Sequence, residues 1–268
     1  MIRLAVRVAR ADAEVVLAEL LELAPGGLEE RAPDADSIEY VLYGAPGELP
    51  ALPALRAAAG DALVDVSSSE LPDDWAERWK RFHVPVLIGG RLWVRPPWEQ
   101  EAVRPGVHEI VIDPGQAFGT GTHPTTRLCL ELLLDLEPSG SLADLGCGSG
   151  VLAIAAAKLG WEPVRAYDSD RAAVAATLAN ARDNGVVLDA VERFDLRHGA
   201  PPAAWTVAAN LMRPLLLALT ASSEERPQVA VLSGLLEHEA DEVAAAWAPM
   251  REERRVSDRG WSALLLRA

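Results

Sequence analysis

Ser141-Leu142-Ala143-Asp144-Leu145-Gly146-Cys147-Gly148-Ser149-Gly150-Val151 decides the fold. An apolar run ends, three glycines alternate with small residues, and an alanine-rich helical stretch opens at Val151 and runs to Lys158. Strand, glycine turn and helix in that order point to an α/β sheet whose ligand sits beyond the carboxyl ends of the strands. The glycines let a ligand approach the backbone closely. The helix start turns unbonded N–H groups toward the same place. The spacing is Asp-x-Gly-x-Gly-x-Gly. A dinucleotide loop needs Gly-x-Gly-x-x-Gly, and the residue three after Gly148 is Val151; a phosphate loop needs a closing Gly-Lys-Ser/Thr that is missing here.

Downstream, strands are expected near 163–167, 188–193, 205–209, 228–232 and 262–267, and helices near 150–159, 171–184, 211–223 and 235–247. A helix at about 123–135 precedes the strand Ser141–Leu145. Alternation of this kind implies a mostly parallel sheet covered on both faces. Asp168 ends the second strand, where a carboxylate can accept hydrogen bonds from both ribose hydroxyls of a nucleoside. Asp170, just before Arg171–Ala181, fits an N-cap. Asn210 ends the apolar Val207-Ala208-Ala209 at the ligand-facing edge, where its side-chain oxygen can accept from a substrate amine; a plain strand-to-helix turn is the alternative. Asp113 to Thr126 (DPGQAFGTGTHPTT) sets three glycines, four threonines and a histidine between a strand and a helix. That suits a ligand-facing loop, and His123 before Pro124 also suits ordinary capping.

Upstream, Ile2, Leu4, Val6 and Val8 share one parity, and Ile38, Tyr40 and Leu42 repeat the pattern. With helices at about 12–24 and 50–60 and strands near 27–32 and 62–67, the order is β-α-β-β-α-β, the ferredoxin-like split motif. Residues 1–67 are therefore expected to form a small α+β domain. Residues 68–82 form a linker helix with Trp75, Trp79 and Phe82 on one side, and 83–268 the larger domain. Short strands are expected at 84–88, 91–94 and 109–112.

The chain has 268 residues, half of them hydrophobic, and a net charge of −15. That charge argues against an open nucleic-acid binder, whose affinity comes from cations on phosphates. It is uneven: residues 1–70 hold 5 basic and 13 acidic side chains. Two cysteines, Cys129 and Cys147, and scattered histidines give no disulfide framework and no metal site. No signal-peptide core and no stretch of membrane-spanning length appears, so the expected setting is the cytoplasm, without membrane or direct nucleic-acid partners.

Asp144-x-Gly146-x-Gly148-x-Gly150 followed by Asp168 resembles the Rossmann-like, class I methyltransferases that use S-adenosylmethionine. The Asp113–Thr126 stretch, Asn180 with Asn184-Gly185, Ala209-Asn210-Leu211 and Leu232-Ser233-Gly234-Leu235-Leu236 narrow the resemblance to the ribosomal protein L-eleven methyltransferase family. The Asp74–Trp79 helix and Pro96-Pro97-Trp98 match its connector. The resemblance implies transfer of methyl groups from S-adenosylmethionine to amino groups of that ribosomal protein, on lysine side chains and with the N-terminal α-amine as a further candidate. It implies that Thr126, Gly146, Asp168 and Asn210 hold the cofactor, with Cys147, Gly148, Gly150 and Ser169 beside them. Asn210 and Phe118 become the catalytic candidates, Asn210 orienting the amine and Phe118 walling its channel. The family's N-terminal ferredoxin-like domain recognises the ribosomal protein.

Five residues in three motifs depart from the family pattern: Ser169 and Arg171 around Asp170, Leu211 and Met212 after Asn210, and Gln116. They leave the cofactor set intact and keep a lysine methyltransferase of a different protein open. A nicotinamide oxidoreductase would share Asp168 but not the glycine spacing. A nucleic-acid methyltransferase would share the asparagine motif but not the charge. A non-catalytic binding protein is the remotest alternative.

Overall fold

Apolar parity builds the first sheet. The structure, a computed structural model, describes residues 2–13, 16–17, 20, 28–31, 33–34, 36–44, 49–70, 83–99, 105–114, 121, 123–199, 202–222 and 226–268. It divides into two units, Met1–Phe82 and His83–Ala268. In the first, strands β1 (Ile2–Ala9), β2 (Glu29–Arg31), β3 (Ser37–Gly44) and β4 (Leu63–Glu70) form an antiparallel sheet in the order β2-β3-β1-β4, with helix α1 at Leu52–Ala59. Leu4 faces Leu42, Val6 faces Tyr40 and Val8 faces Ile38, so the two apolar sets meet on one side. There they pack with Val16, Leu20 and Leu55. The Tyr40 hydroxyl donates to the Ala13 carbonyl at 2.8 Å, which lets a phenol lie in that core.

The fourth strand is longer than its sequence suggests. Ser67, Ser68 and Ser69 pair with Ala5, Leu4 and Arg3, so β4 runs through residue 70 and the strand crosses the expected boundary at 67. Backbone pairing along β1 needs no apolar side chain, and at a sheet edge serines are tolerated. The remainder of the expected linker helix, residues 71–82 with Trp75, Trp79 and Phe82, lies outside the described residues.

In the second unit, β5 (Val86–Ile88), β6 (Leu92–Arg95) and β7 (His108–Val111) form a small mixed sheet. Helix α2 (Pro124–Leu134) follows. Then come β8 (Leu142–Leu145), α3 (Val151–Leu159), β9 (Val164–Asp168), α4 (Arg171–Asp183), β10 (Ala190–Arg193), β11 (Thr206–Asn210), α5 (Arg213–Ser222), β12 (Val229–Leu236), α6 (Ala240–Ala246), β13 (Arg251–Asp258) and β14 (Trp261–Arg267). The sheet order is β10-β9-β8-β11-β12-β14-β13. The first five of these strands are parallel, and β14 runs antiparallel to both neighbours. Successive side chains divide between two cores. Ala143, Leu145, Ala209, Leu232 and Leu264 face one, while Leu142, Ala208, Val231 and Leu265 face the other with helices α2 and α3.

Two elements differ from expectation. Strand β13, Arg-Glu-Glu-Arg-Arg-Val-Ser-Asp, is mostly exposed and highly charged, so apolar periodicity does not reveal it. The helix expected from 235 starts later, because Leu235 and Leu236 continue β12 opposite Ser262 and Trp261 after an irregularity that includes Gly234. No helix among the described residues is long and apolar enough to cross a membrane.

Candidate active site

The glycine loop leaves β8 in a conformation that L side chains avoid. Gly146, Gly148 and Gly150 have φ of 74°, 54° and 81°. The N–H groups of Gly146 and Cys147 both donate to the Tyr167 carbonyl, at 2.8 and 3.0 Å, tying the loop to the end of β9. A Cβ on Gly146 would overlap the Leu211 side chain, and one on Gly150 would stand 2.7 Å from Thr177 Cγ2. The loop is thus packed from behind as well as shaped for a ligand in front.

Asp168 stands across from this loop. Its Oδ2 accepts from the Gly148 N–H at 2.9 Å and its Oδ1 from the Asp170 N–H at 2.9 Å. An ionised carboxylate offers about four lone-pair sites, so two remain for ligand hydroxyls. The same bond argues against pyrophosphate in the loop, since the Gly148 N–H is already committed to an anion. Asp170 caps α4 as expected, accepting from Ala172 N–H at 2.8 Å. Ser169 is exposed at the rim, and its carbonyl accepts from Arg193 Nε.

Asn210 closes the other flank. Its Nδ2 donates to the Thr126 hydroxyl at 3.3 Å, joining the end of β11 to the first turn of α2. Leu211, the next residue, packs its side chain against Gly146 and its backbone against Gly234, where a Cβ would overlap the Leu211 carbonyl. Contacts therefore run without a break from Thr126 through Asn210, Leu211 and the Gly146–Gly148 loop to Asp168. Cys147 is buried, and burial holds its thiol well above the ordinary range, so it lines the loop as a small neutral group. Phe118 lies outside the described residues.

His123 is the N-cap of α2: its Nδ1 accepts from the Thr125 N–H, and its ring meets Trp261 edge-on at 5.3 Å between centroids. Burial lowers its pKa, which suits a neutral accepting cap.

Beneath the loop, Asp144 is fully buried. Its Oδ2 accepts from the Ala153 N–H at 3.0 Å in the first turn of α3, while Oδ1 has no hydrogen-bond partner among the described residues. Burial pushes its pKa up to about 7; the Ala153 N–H opposes this and the charge of Asp168 adds to it. A cradle of glycines, acceptor oxygens from Asp168 and Asn210 and a buried carboxylic acid fit a nucleoside ligand that carries hydroxyls and a cationic centre. They do not fit a ligand with several phosphates. No cluster of three or more His, Cys, Asp or Glu that could hold a metal occurs among the described residues.

Sequence reasoning leaves three supporting residues of α4 and its end without a role. Thr177, Asn180 and Asn184 share one face of this helix, and their hydroxyl and amides bond to the glycine loop and to the end of β7. Their spacing among small residues is the available signal.

A sheet of this order, with a glycine turn after the interior strand β8 and an acid after the neighbouring β9, defines a Rossmann-like class I methyltransferase domain. The chain belongs to the ribosomal protein L11 methyltransferase (PrmA) family, whose model matches residues 55–268. A ribosomal protein L11 methyltransferase of Burkholderia multivorans is 37% identical over 281 residues, covering 91% of this chain and 90% of that one. One from Chromobacterium violaceum is 42% identical over 197 residues, and there the match spans 71% of this chain but 64% of the relative. Among solved structures, a ribosomal protein L11 methylase from Lactobacillus delbrueckii subsp. bulgaricus superposes with a TM-score of 0.62 at 28% identity, covering 69% of this chain and 98% of that one.

Proposed function

We propose that the protein transfers methyl groups from S-adenosylmethionine to amino groups of ribosomal protein L11, on lysine side chains and with the N-terminal α-amine as a further acceptor. The observation that carries this reading is the unbroken chain of contacts from Thr126 through Asn210, Leu211 and Gly146 to Asp168. In it Asp168 holds the ribose hydroxyls, with Ser169 at the rim. Gly146, Cys147, Gly148 and Gly150 pass beneath the cofactor, and Thr126 closes the side opposite Asp168.

S-adenosylmethionine, when bound, supplies an electrophilic methyl on a sulfonium. The protein's part is alignment, which provides much of the acceleration in such a displacement. A lysine amine has a reference pKa of about 10.4, so it must reach the site neutral. Desolvation and a nearby positive charge both lower that value. Asn210 then orients the amine: its Nδ2 is committed to Thr126, and Oδ1 is the group left to accept an amine hydrogen. Phe118 is the proposed wall of the amine channel.

We read the first unit as a ferredoxin-like recognition domain. Its sheet order, β2-β3-β1-β4, supports this. Its excess of acidic residues suits a basic protein partner, since complementary charge speeds encounter. The setting proposed is the cytoplasm.

The test is calorimetric titration with S-adenosylmethionine and, separately, NADH, followed by mass spectrometry of ribosomal protein L11 incubated with protein and cofactor. Adenosylmethionine binding together with methyl additions on ribosomal protein L11 is the expected result. Binding without methylation would redirect the search to another protein substrate. Absence of adenosylmethionine binding would overturn the reading.

A further inference from the structure

Helix α4 carries polar side chains into an otherwise apolar interface. Thr177 Oγ1 lies 3.1 Å from the Gly148 carbonyl. Asn184 behaves as a false strand neighbour for Val111, accepting from its N–H at 2.9 Å and donating to its carbonyl at 2.6 Å. Asn180 lies between them, 2% exposed. Its Nδ2 donates to the Ser149 carbonyl at 2.8 Å, and its Oδ1 accepts from the Asp113 N–H at 3.0 Å. One rigid, planar amide thus joins the glycine loop to the residue that opens the Asp113–Thr126 stretch. Both partner groups are main-chain atoms outside the regular ladders; the bond to Ser149 is buried, where water cannot replace it, and the bond to Asp113 is partly so.

We propose that Asn180 is a positioning residue that couples the two sides of the site, so that filling the glycine loop with cofactor tightens binding of the methyl-accepting protein. The inference rests on the proposed function. A movement of the Ser149 carbonyl on cofactor binding is passed through the amide to Asp113. Coupling between two ligands is reciprocal, so the acceptor protein must tighten cofactor binding by the same factor.

The first measurement is hydrogen exchange at the Asp113 amide in the wild-type protein, with and without S-adenosylhomocysteine. Slower exchange at Asp113 with the ligand is expected, and an unchanged rate in a protein that binds the ligand overturns the inference. The second is the affinity for ribosomal protein L11 with and without S-adenosylhomocysteine, expected to improve by about fivefold or more, the ordinary range for coupled sites. In Asn180→Asp at about pH 8 the ionised carboxylate faces the Ser149 carbonyl, and the improvement should vanish. As pH falls toward about 5.5, a buried carboxyl takes up its proton, regains a donor, and the coupling should return. A variant that loses thermal stability but keeps the coupling factor at both pH values would make Asn180 merely structural. Asn180→Ser, too short to span both partners, should also uncouple the sites and serves if the aspartate variant does not fold. A wild-type protein that binds no S-adenosylhomocysteine would instead remove the proposed function itself.

Discussion

The side-chain amide of Asn210 and the hydroxyl of Thr126, 84 positions apart in the chain, meet at 3.3 Å beside the glycine loop. This bond fixes which end of the Asn210 amide accepts. Asn210→Ala should therefore slow single-turnover methyl transfer more than it weakens cofactor binding. Loss of a hydrogen bond of about 1–3 kcal/mol corresponds to roughly a fivefold to 150-fold fall in rate. Thr126→Val should produce a smaller fall, because Asn210 stays but is no longer held. Equal rates in wild type and Asn210→Ala would remove Asn210 from the reaction.

Asp168 binds the loop before it binds any ligand, since its two oxygens take the N–H groups of Gly148 and Asp170. Asp168→Asn keeps one acceptor and sets an amide donor against a second donor. Its affinity for S-adenosylmethionine should fall by about tenfold or more, the equivalent of one lost charged hydrogen bond. Asp168→Ala should fall further. Calorimetry decides this, and an unchanged dissociation constant in both variants would refute the ribose assignment.

Gly146→Ala places a methyl on a residue with φ of 74° and drives it toward Leu211. The left-handed conformation alone costs about 1–2 kcal/mol for a non-glycine residue. In a domain of this size that corresponds to a melting-temperature loss of roughly 2–8 °C. Pairing it with Leu211→Ala relieves the contact and should recover part of the loss. A double variant as unstable as the sum of the singles would show that the two side chains do not compete for space.

Buried Asp144 and half-buried His123 give opposite pH dependences. Asp144 has a folded pKa of about 7, above its ordinary 3.8, so its folded state is favoured at low pH and that advantage is lost as pH rises through 7. His123 is shifted down from 6.5, so its contribution is present above that value and lost as pH falls below it. Melting temperature followed against pH should therefore fall less between about pH 4 and 7 in Asp144→Asn than in wild type. In His123→Gln the acid-side loss should shrink. An Asp144→Asn curve parallel to wild type across the whole range would show that the carboxylate is ionised throughout.

Much of this arrangement is legible in the sequence. The alternation of Ile2, Leu4, Val6 and Val8 predicts the strand that meets Ile38, Tyr40 and Leu42, because one buried face requires that parity. The Asp170 cap and the glycine turn are legible for a similar reason: each depends on local backbone chemistry. Ser67–Ser69 is not, since its pairing is dictated by the neighbouring strand and not by its own side chains. Nor can the role of Asn180 be read, because its two partners lie 31 and 67 positions away and only the folded chain brings them to one amide.

Strand β13 also escapes the pattern, and its charges have a further consequence. Among the described residues it is an edge strand, hydrogen-bonded to β14 alone, and an unpaired edge is a template on which another chain can add. Arg254, Arg255 and Glu253 engage Asp135, Asp241 and Arg267, so the edge is lined with ion pairs and offers few apolar side chains to an incoming strand. Neutralising those side chains would leave the fold in place and turn this border of the sheet into a site of self-association at high protein concentration.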